Sequence, residues 1–167
     1  MPTRRILAIE VIAMCNIHNK NKNFIEIIDS MPKELKKKLY VPQFGKKYYF
    51  PILGDARFDW NCWEGTDEDI EILQLGLVCK TSKHATELAD VMLGISSEHK
   101  AYKPKRDQIY WYPVLDERLI ELERWDGDDF DIDNLYYGLV CKTEEQAEAL
   151  AKELLAALWN YRSDWGE

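Results

Sequence analysis

The chain holds only 8 glycines in 167 residues, and they are not gathered into a loop of Walker or Rossmann type. Such loops bring several backbone N–H groups onto a phosphate, so a nucleotide cradle of either kind is not expected. Histidine is scarcer still. His18, His84 and His99 are the whole set, and they fall in polar connections or at a helix start with no motif around them. A serine or cysteine nucleophile needs a partnered base, so no catalytic residue is assigned and the chain reads as non-enzymatic, with no cofactor. A membrane-spanning run is lacking as well. Arg4 and Arg5 precede the apolar stretch Ile6–Cys15, but Glu10 interrupts it, no small-residue cleavage site follows, and it is too short to cross a bilayer. The four cysteines, Cys15, Cys62, Cys79 and Cys141, lie in apolar strand-like runs where a free thiol acts as a small hydrophobe; a reduced, cytosolic protein is expected.

What the chain does have is a repeat. Gly76-Leu77-Val78-Cys79-Lys80-Thr81 returns unchanged as Gly138-Leu139-Val140-Cys141-Lys142-Thr143, an offset of 138 − 76 = 62. Aligning Tyr48–Leu93 with Tyr110–Leu155 at that offset gives about 19 identities in roughly 46 positions, the mark of a duplicated module. Side chains kept in both copies should serve the fold, and those that differ are where function can reside.

The expected architecture is α+β, with a helical N-terminal segment over residues 1–45 followed by two ββαβα-like modules, 46–95 and 109–167, joined by a linker at 96–108. With 46% hydrophobic and 12% aromatic residues the chain can bury a real core. Each copy opens on an aromatic, β-branched run, Tyr48–Leu53 or Tyr110–Leu115, then turns into a second strand ending at Trp63 or Trp125. Pro51 and Pro113 remove a ladder donor and place these strands at an edge or a bulge. A short helix follows, stopped by Gly76 or Gly138. The last helix of each copy carries the plainest pattern: Ala85, Leu88, Ala89, Met92 and Leu93, and Ala147, Leu150, Ala151, Leu154, Leu155 and Leu158, form apolar stripes behind Thr81 and Thr143. Thr143 with Gln146 matches a capping box.

Charge is divided unevenly. Residues 1–47 carry 10 Lys/Arg against 4 Asp/Glu (+6), residues 48–109 carry 7 against 11 (−4), and residues 110–167 carry 5 against 15 (−10), summing to the net −8. The acids Asp126, Asp128, Asp129 and Asp131 alternate as calcium ligands can, but the sixth and twelfth positions counted from Asp126 are Asp131 and Tyr137, where an EF-hand needs Gly and Glu; no metal site is assigned. Helix-start capping explains Asp129 and Asp131, whose counterparts Asp67 and Asp69 recur in the first copy. It leaves Glu121, Glu123, Asp126 and Asp128 as surplus. The matched Trp63 and Trp125 read as packing residues. The unmatched Trp60, Trp111, Trp159 and Trp165 are candidates for an interface, the last two either docked on the fold or presented to a partner. Lys33, Lys36, Lys37, Lys38, Lys46 and Lys47, interleaved with Tyr40, Phe44 and Tyr48, form the pattern a single strand of nucleic acid would need, against the repulsion of the acidic remainder.

The repeat, from the aromatic hairpin through Trp125-Asp126-Gly127-Asp128 to Gly138-Leu139-Val140-Cys141-Lys142-Thr143-Glu144-Glu145-Gln146-Ala147-Glu148, resembles a small module of uncharacterised bacteriophage and prophage proteins. In that module a Trp, a turn with Asp and a Gly-x-Val-x-Lys-Thr-x-Glu-Glu-Ala run recur. The first copy lacks the paired glutamates. The resemblance implies a mobile-element origin and action in the bacterial host cytoplasm, but no mechanism. The expectation that follows is a phage-type accessory protein inhibiting a host defence nuclease, of CRISPR or restriction type. The partner-binding residues are Glu121, Glu123, Asp126, Asp128, Asp129, Asp131, Trp159 and Trp165, and the partner's basic nucleic-acid groove receives the acidic face. Two alternatives stand beside it: an accessory protein that binds nucleic acid through the N-terminal lysines, and a virion component, which would self-associate into a homo-oligomer. No membrane partner is expected.

Overall fold

The computed structural model describes residues 40–99, 102–116 and 118–163. Within them four helices and two antiparallel two-stranded sheets give a mixed α/β architecture. β1 (Lys47–Pro51), β2 (Phe58–Cys62), α1 (Asp67–Gln74) and α2 (Ser82–Ser96) make the first half of this region; β3 (Ile109–Pro113), β4 (Ile120–Arg124), α3 (Asp129–Tyr136) and α4 (Glu144–Ser163) make the second. Each element of the second half begins 62 residues after its counterpart, since 109 − 47, 120 − 58, 129 − 67 and 144 − 82 are equal. The backbone repeats in finer detail. Among the described residues, those with positive φ are Gly45, Arg57, Gly65, Gly76, Asp107, Leu119, Gly127 and Gly138, which fall into four pairs at the same spacing. The helix expected at the N-terminus lies outside the described residues, apart from an irregular lead-in at 40–46.

The hairpins follow from the sequence pattern. β1 pairs with β2 from Lys47↔Cys62 to Pro51↔Phe58, and β3 with β4 from Ile109↔Arg124 to Pro113↔Ile120. Both prolines end their strands, where the missing N–H costs little. Arg57 and Leu119 close the turns in the left-handed region, donating to Gly54 O and Asp116 O at 3.1 Å each. The third strand expected in each copy shrinks to a single bridge: Tyr49 and Cys79 exchange two hydrogen bonds of 2.9 and 2.7 Å, as do Trp111 and Cys141 at 3.0 and 2.8 Å. Lys80 and Lys142 leave no room to extend it, because the threonines after them already begin a helix. Thr81 Oγ1 accepts from His84 N at 3.2 Å and Thr143 Oγ1 from Gln146 N at 3.3 Å. Gln146 reaches back to Lys142 N, one residue before the position a capping box would use. α2 runs through Gly94 to Ser96, so its last residue is the first of the linker expected at 96–108.

The apolar stripes of α2 and α4 are buried throughout, and the two helices pack on one another, so a hydrophobic cluster runs through both halves. The glycines that stop α1 and α3 sit in this seam. A Cβ on Gly76 would lie 2.7 Å from Trp159 Cε2; one on Gly138 would lie 2.8 Å from the carbonyl carbon of Ser96 and 3.3 Å from Ser97 Cα. Since 159 − 97 = 62, the same two positions meet in both directions, the reciprocity of a two-fold contact. Polar bonds reinforce the seam: Arg162 Nη2 donates to Val78 O at 2.5 Å, Arg57 Nη1 donates to Tyr137 Oη at 3.0 Å, and Tyr137 donates to Asp55. Gly138→Ala should therefore cost about 3 kcal/mol or more, combining left-handed strain with overlap on backbone that cannot yield. Gly65→Ala, with the same φ sign and open space around it, should cost about 1 kcal/mol. Urea denaturation of the two variants checks this, and equal losses would refute the seam.

Candidate functional site

Each half contains one buried carboxylate. Asp69 is fully buried and accepts from Tyr48 Oη at 2.7 Å, Glu64 N at 2.8 Å and Thr66 N at 3.1 Å. Asp131 does the same with Tyr110 Oη at 2.7 Å and with Asp126 N and Gly127 N at 2.8 Å. Burial alone would push both carboxyls up. The tyrosine hydroxyl and backbone donors outweigh it and hold both below the usual carboxylate range. The tyrosines move the other way, raised by burial and by the adjoining carboxylate. Thus Asp131, predicted to meet a partner, is instead a buried tie between hairpin and helix.

Asp126, Asp128 and Asp131 offer oxygens within 4.8 Å of one another. One oxygen of each exposed acid serves the helix start: Asp128 Oδ1 takes Asp131 N at 2.9 Å and Asp126 Oδ1 takes Asp128 N at 3.1 Å. In the first half Thr66 stands where Asp128 does, accepts Asp69 N at 3.2 Å, and supports the same turn. The geometry is thus reached without a third carboxylate and needs no cation.

The other predicted acids remain at the surface. Asp126, Asp128, Asp129 and Glu123 are exposed; Glu121 is half-buried, accepting from Tyr112 Oη at 3.0 Å and from Arg118 Nη1 at 3.1 Å. The structure adds what sequence reasoning missed, an apolar component among them. Phe130 and Ile132 are each 48% exposed and Tyr136 is 77% exposed, all on α3. Leu122 and Ile109 are also exposed, on the hairpin of the same half. The equivalent positions of the first half hold Glu68, Ile70, Gln74, Trp60 and Lys47. A comparison of the copies position by position carried this signal, since each of these residues except Ile132 is unmatched.

Of the candidate tryptophans, Trp159 is 6% exposed and covers Gly76, so it closes the seam and is not presented; Trp165 lies outside the described residues. Trp60 is half exposed with Lys47 Nζ 3.7 Å above its ring. Lys33 and Lys36 to Lys38 fall outside the described residues. Cys79 and Cys141 are buried and free, and burial pushes the Cys141 thiol up to about 11, which keeps thiolate scarce at neutral pH. Cys62 departs from expectation. It ends β2 on the exposed side, where the strand has no covering layer.

Where the two hairpins come together with α1 and α3, a groove of about 450 Å³ opens. Its floor is the matched pair of strand ends, Phe50 to Leu53 and Tyr112 to Leu115, and its walls differ: Glu68, Glu71 and Ile72 on one side, Phe130 and Asn134 on the other. Among the described residues no helix is long and apolar enough to cross a membrane. Compared with family models, curated proteins and solved structures, the chain has no significant match.

The buried carboxylates make stability depend on pH in a fixed direction. With folded-state values below the unfolded value of about 3.9, Asp69 and Asp131 stabilise the fold above that pH, and the contribution is lost as pH falls through their folded values. Asp131→Asn should lower stability at pH 7 by about 3 kcal/mol and flatten the decline below pH ~4. Urea midpoints from pH 3 to 7, followed by tryptophan fluorescence, check both effects, and an unchanged acid limb would exclude the carboxylate as its source.

Proposed function

We propose that the chain is a non-enzymatic, phage-type accessory protein made of two copies of one module behind an N-terminal segment, and that it binds and inhibits a host protein through the acidic face of the second copy. The observation that carries this reading is the asymmetry of α1 and α3. Two helices on matching backbones differ outward: α3 sets Phe130, Ile132 and Tyr136 in solvent beside Asp126, Asp128 and Asp129, whereas α1 does not. Exposed rings amid charge are the composition of an interface core with its rim. The carboxylates supply steering toward a positively charged partner, and the rings supply desolvated contact. A defence nuclease of the bacterial host cytoplasm, of CRISPR or restriction type, fits both requirements through its basic nucleic-acid groove.

The variant that tests this must spare the fold. Asp131 is omitted because it is buried, leaving Asp126→Asn, Asp128→Asn and Asp129→Asn combined. Capture of host proteins from a bacterial lysate, followed by titration of the retained partner at several salt concentrations, should show affinity reduced about tenfold or more and a shallower salt dependence. Tyr136→Ala should weaken the same complex without changing the salt slope. Equal binding by the triple variant would remove the acidic face from the mechanism.

A second reading is supported by Lys47 stacked on exposed Trp60, with Phe44 also exposed and Lys46 adjoining. Rings beside cations suit an unpaired nucleic-acid strand. A gel shift with single- and double-stranded DNA at low salt separates the two: retardation lost in Trp60→Ala favours this surface, and no retardation removes it.

A further inference from the structure

Among the described residues each hairpin has an outer strand, β2 or β4, that pairs on one side only, and the two edges are finished differently. The inner strands give their other side to the isolated bridges, Tyr49 to Cys79 and Trp111 to Cys141. Tyr49 and Trp111 stand opposite Trp60 and Leu122, so the ladder makes no bond there, and the N–H and C=O of Trp60 and Leu122 point away from the sheet. The same holds two residues on, at Cys62 and Arg124. Three of these outward N–H groups are closed by the side chain just before them. Asp59 Oδ1 accepts from Trp60 N and Asn61 Oδ1 from Cys62 N, both at 2.8 Å, and Glu123 Oε1 accepts from Arg124 N at 2.9 Å. Glu121, which stands where Asp59 does, is turned instead to Tyr112 Oη and Arg118 Nη1. Leu122 N–H is thus left without an acceptor among the described residues, and the Leu122 side chain is half exposed on the same face as the exposed Ile109.

We propose that the edge of β4 binds an extended segment of a partner protein by antiparallel strand addition, the residue opposite Leu122 exchanging both backbone bonds with it, and that this segment alternates apolar and basic side chains. Backbone groups left open along an edge select an extended main chain. The pleat then sets the side-chain pattern. On the face of Ile120 and Leu122 the edge is apolar up to Arg124, which selects apolar neighbours. On the other face stand Glu121 and Glu123. Arg118 meets Glu121 at 3.1 Å, whereas Glu123 has no cation beside it among the described residues. An incoming Lys or Arg next to Glu123 supplies the missing charge, and an acid there is repelled. A second copy of the chain fits poorly, since two β4 strands paired antiparallel about Leu122 would set Glu121 of each directly opposite Glu123 of the other. β2, with Asp59 and Asn61 holding its donors, is closed to the same exchange. The edge deepens the proposed function, resting on the reading that a protein meets the second copy and adding how that protein is attached.

The probe is an acetylated, amidated heptapeptide alternating Val with Lys, titrated against the full chain beside versions alternating Val with Glu and Val with Ser. The Lys peptide should bind about tenfold tighter than the Glu peptide, with the Ser peptide between them and amide shifts concentrated in 119–124. N-methylation at the valines, whose backbone groups meet Leu122, should abolish binding, and N-methylation at the lysines, whose N–H groups point outward, should not. Both methylated peptides keep every charge, so their difference reads the strand pairing alone. Leu122→Pro removes the open donor without touching a ladder bond and should weaken binding about tenfold or more, whereas Leu122→Val should bind as the parent does. The Asp126/Asp128/Asp129 variant should also bind the peptide as the parent does, so failure at the edge is distinguishable from failure of the acidic face. Equal binding of the Lys and Glu peptides, binding that survives N-methylation at the valines, or shifts confined to β2 would overturn the site. Self-association abolished by Leu122→Pro would overturn the assignment to a partner and give the edge to a second copy of the chain.

Discussion

One buried carboxylate per half organises everything around it. Asp69 and Asp131 sit where a charge should be costly, and each is tolerated because three donors converge on it, two from the turn before its helix and one from a tyrosine on the first strand. That arrangement fixes three things together. It sets the start of the short helix, the angle of the turn after the buried tryptophan, and the face of the hairpin that turns inward, because Tyr48 and Tyr110 must point at the acid. Trp63 and Trp125 then pack edge-on against those tyrosines, at centroid distances of 5.7 and 5.9 Å. Hairpin, turn and helix are thereby locked as one unit before the long helices are considered.

The long helices do the larger share of apolar burial. α2 and α4 have continuous stripes of Ala and Leu, and their contact joins the halves into one cluster. The glycines that end α1 and α3 permit the opposite half to lie directly on the backbone. The copies diverge at this seam in size, Trp159 against Ser97, so the two sides are filled by different means: an indole covers Gly76 and main chain covers Gly138. Matching geometry with unmatched filling is how a single design tolerates two sequences.

Much of this was legible from the residues. The stripes, the threonine caps, the glycine stops and both hairpins follow from periodicity and turn chemistry, and the repeat made each assignment twice. What was not legible depends on which way a side chain faces. Asp131 reads as one more acid in a string, and only its tyrosine partner, 21 positions away, tells it apart from Asp129. Trp159 reads as a stray terminal aromatic until the glycine beneath it is located. The third strand was expected because Leu77-Val78-Cys79 is apolar; it fails to extend because the helix cap follows two residues later. The exposed rings of α3 were hidden in plain view, since Phe130 and Tyr136 in an apolar-rich chain suggest core. Comparing Phe130 with Glu68 and Tyr136 with Gln74 would have shown that the fold does not require them there.

The reciprocal seam has an implication for how such a chain can change. In an assembly of two separate identical chains, every substitution appears on both sides of the axis at once, so a binding patch gained on one side must be borne by the other. Carrying both partners on one polypeptide replaces bimolecular association by a tethered encounter at fixed effective concentration, and it releases the two sides from that identity. Each copy can then carry a side chain that the other lacks, as with Glu68 on α1 and Phe130 at the equivalent place on α3.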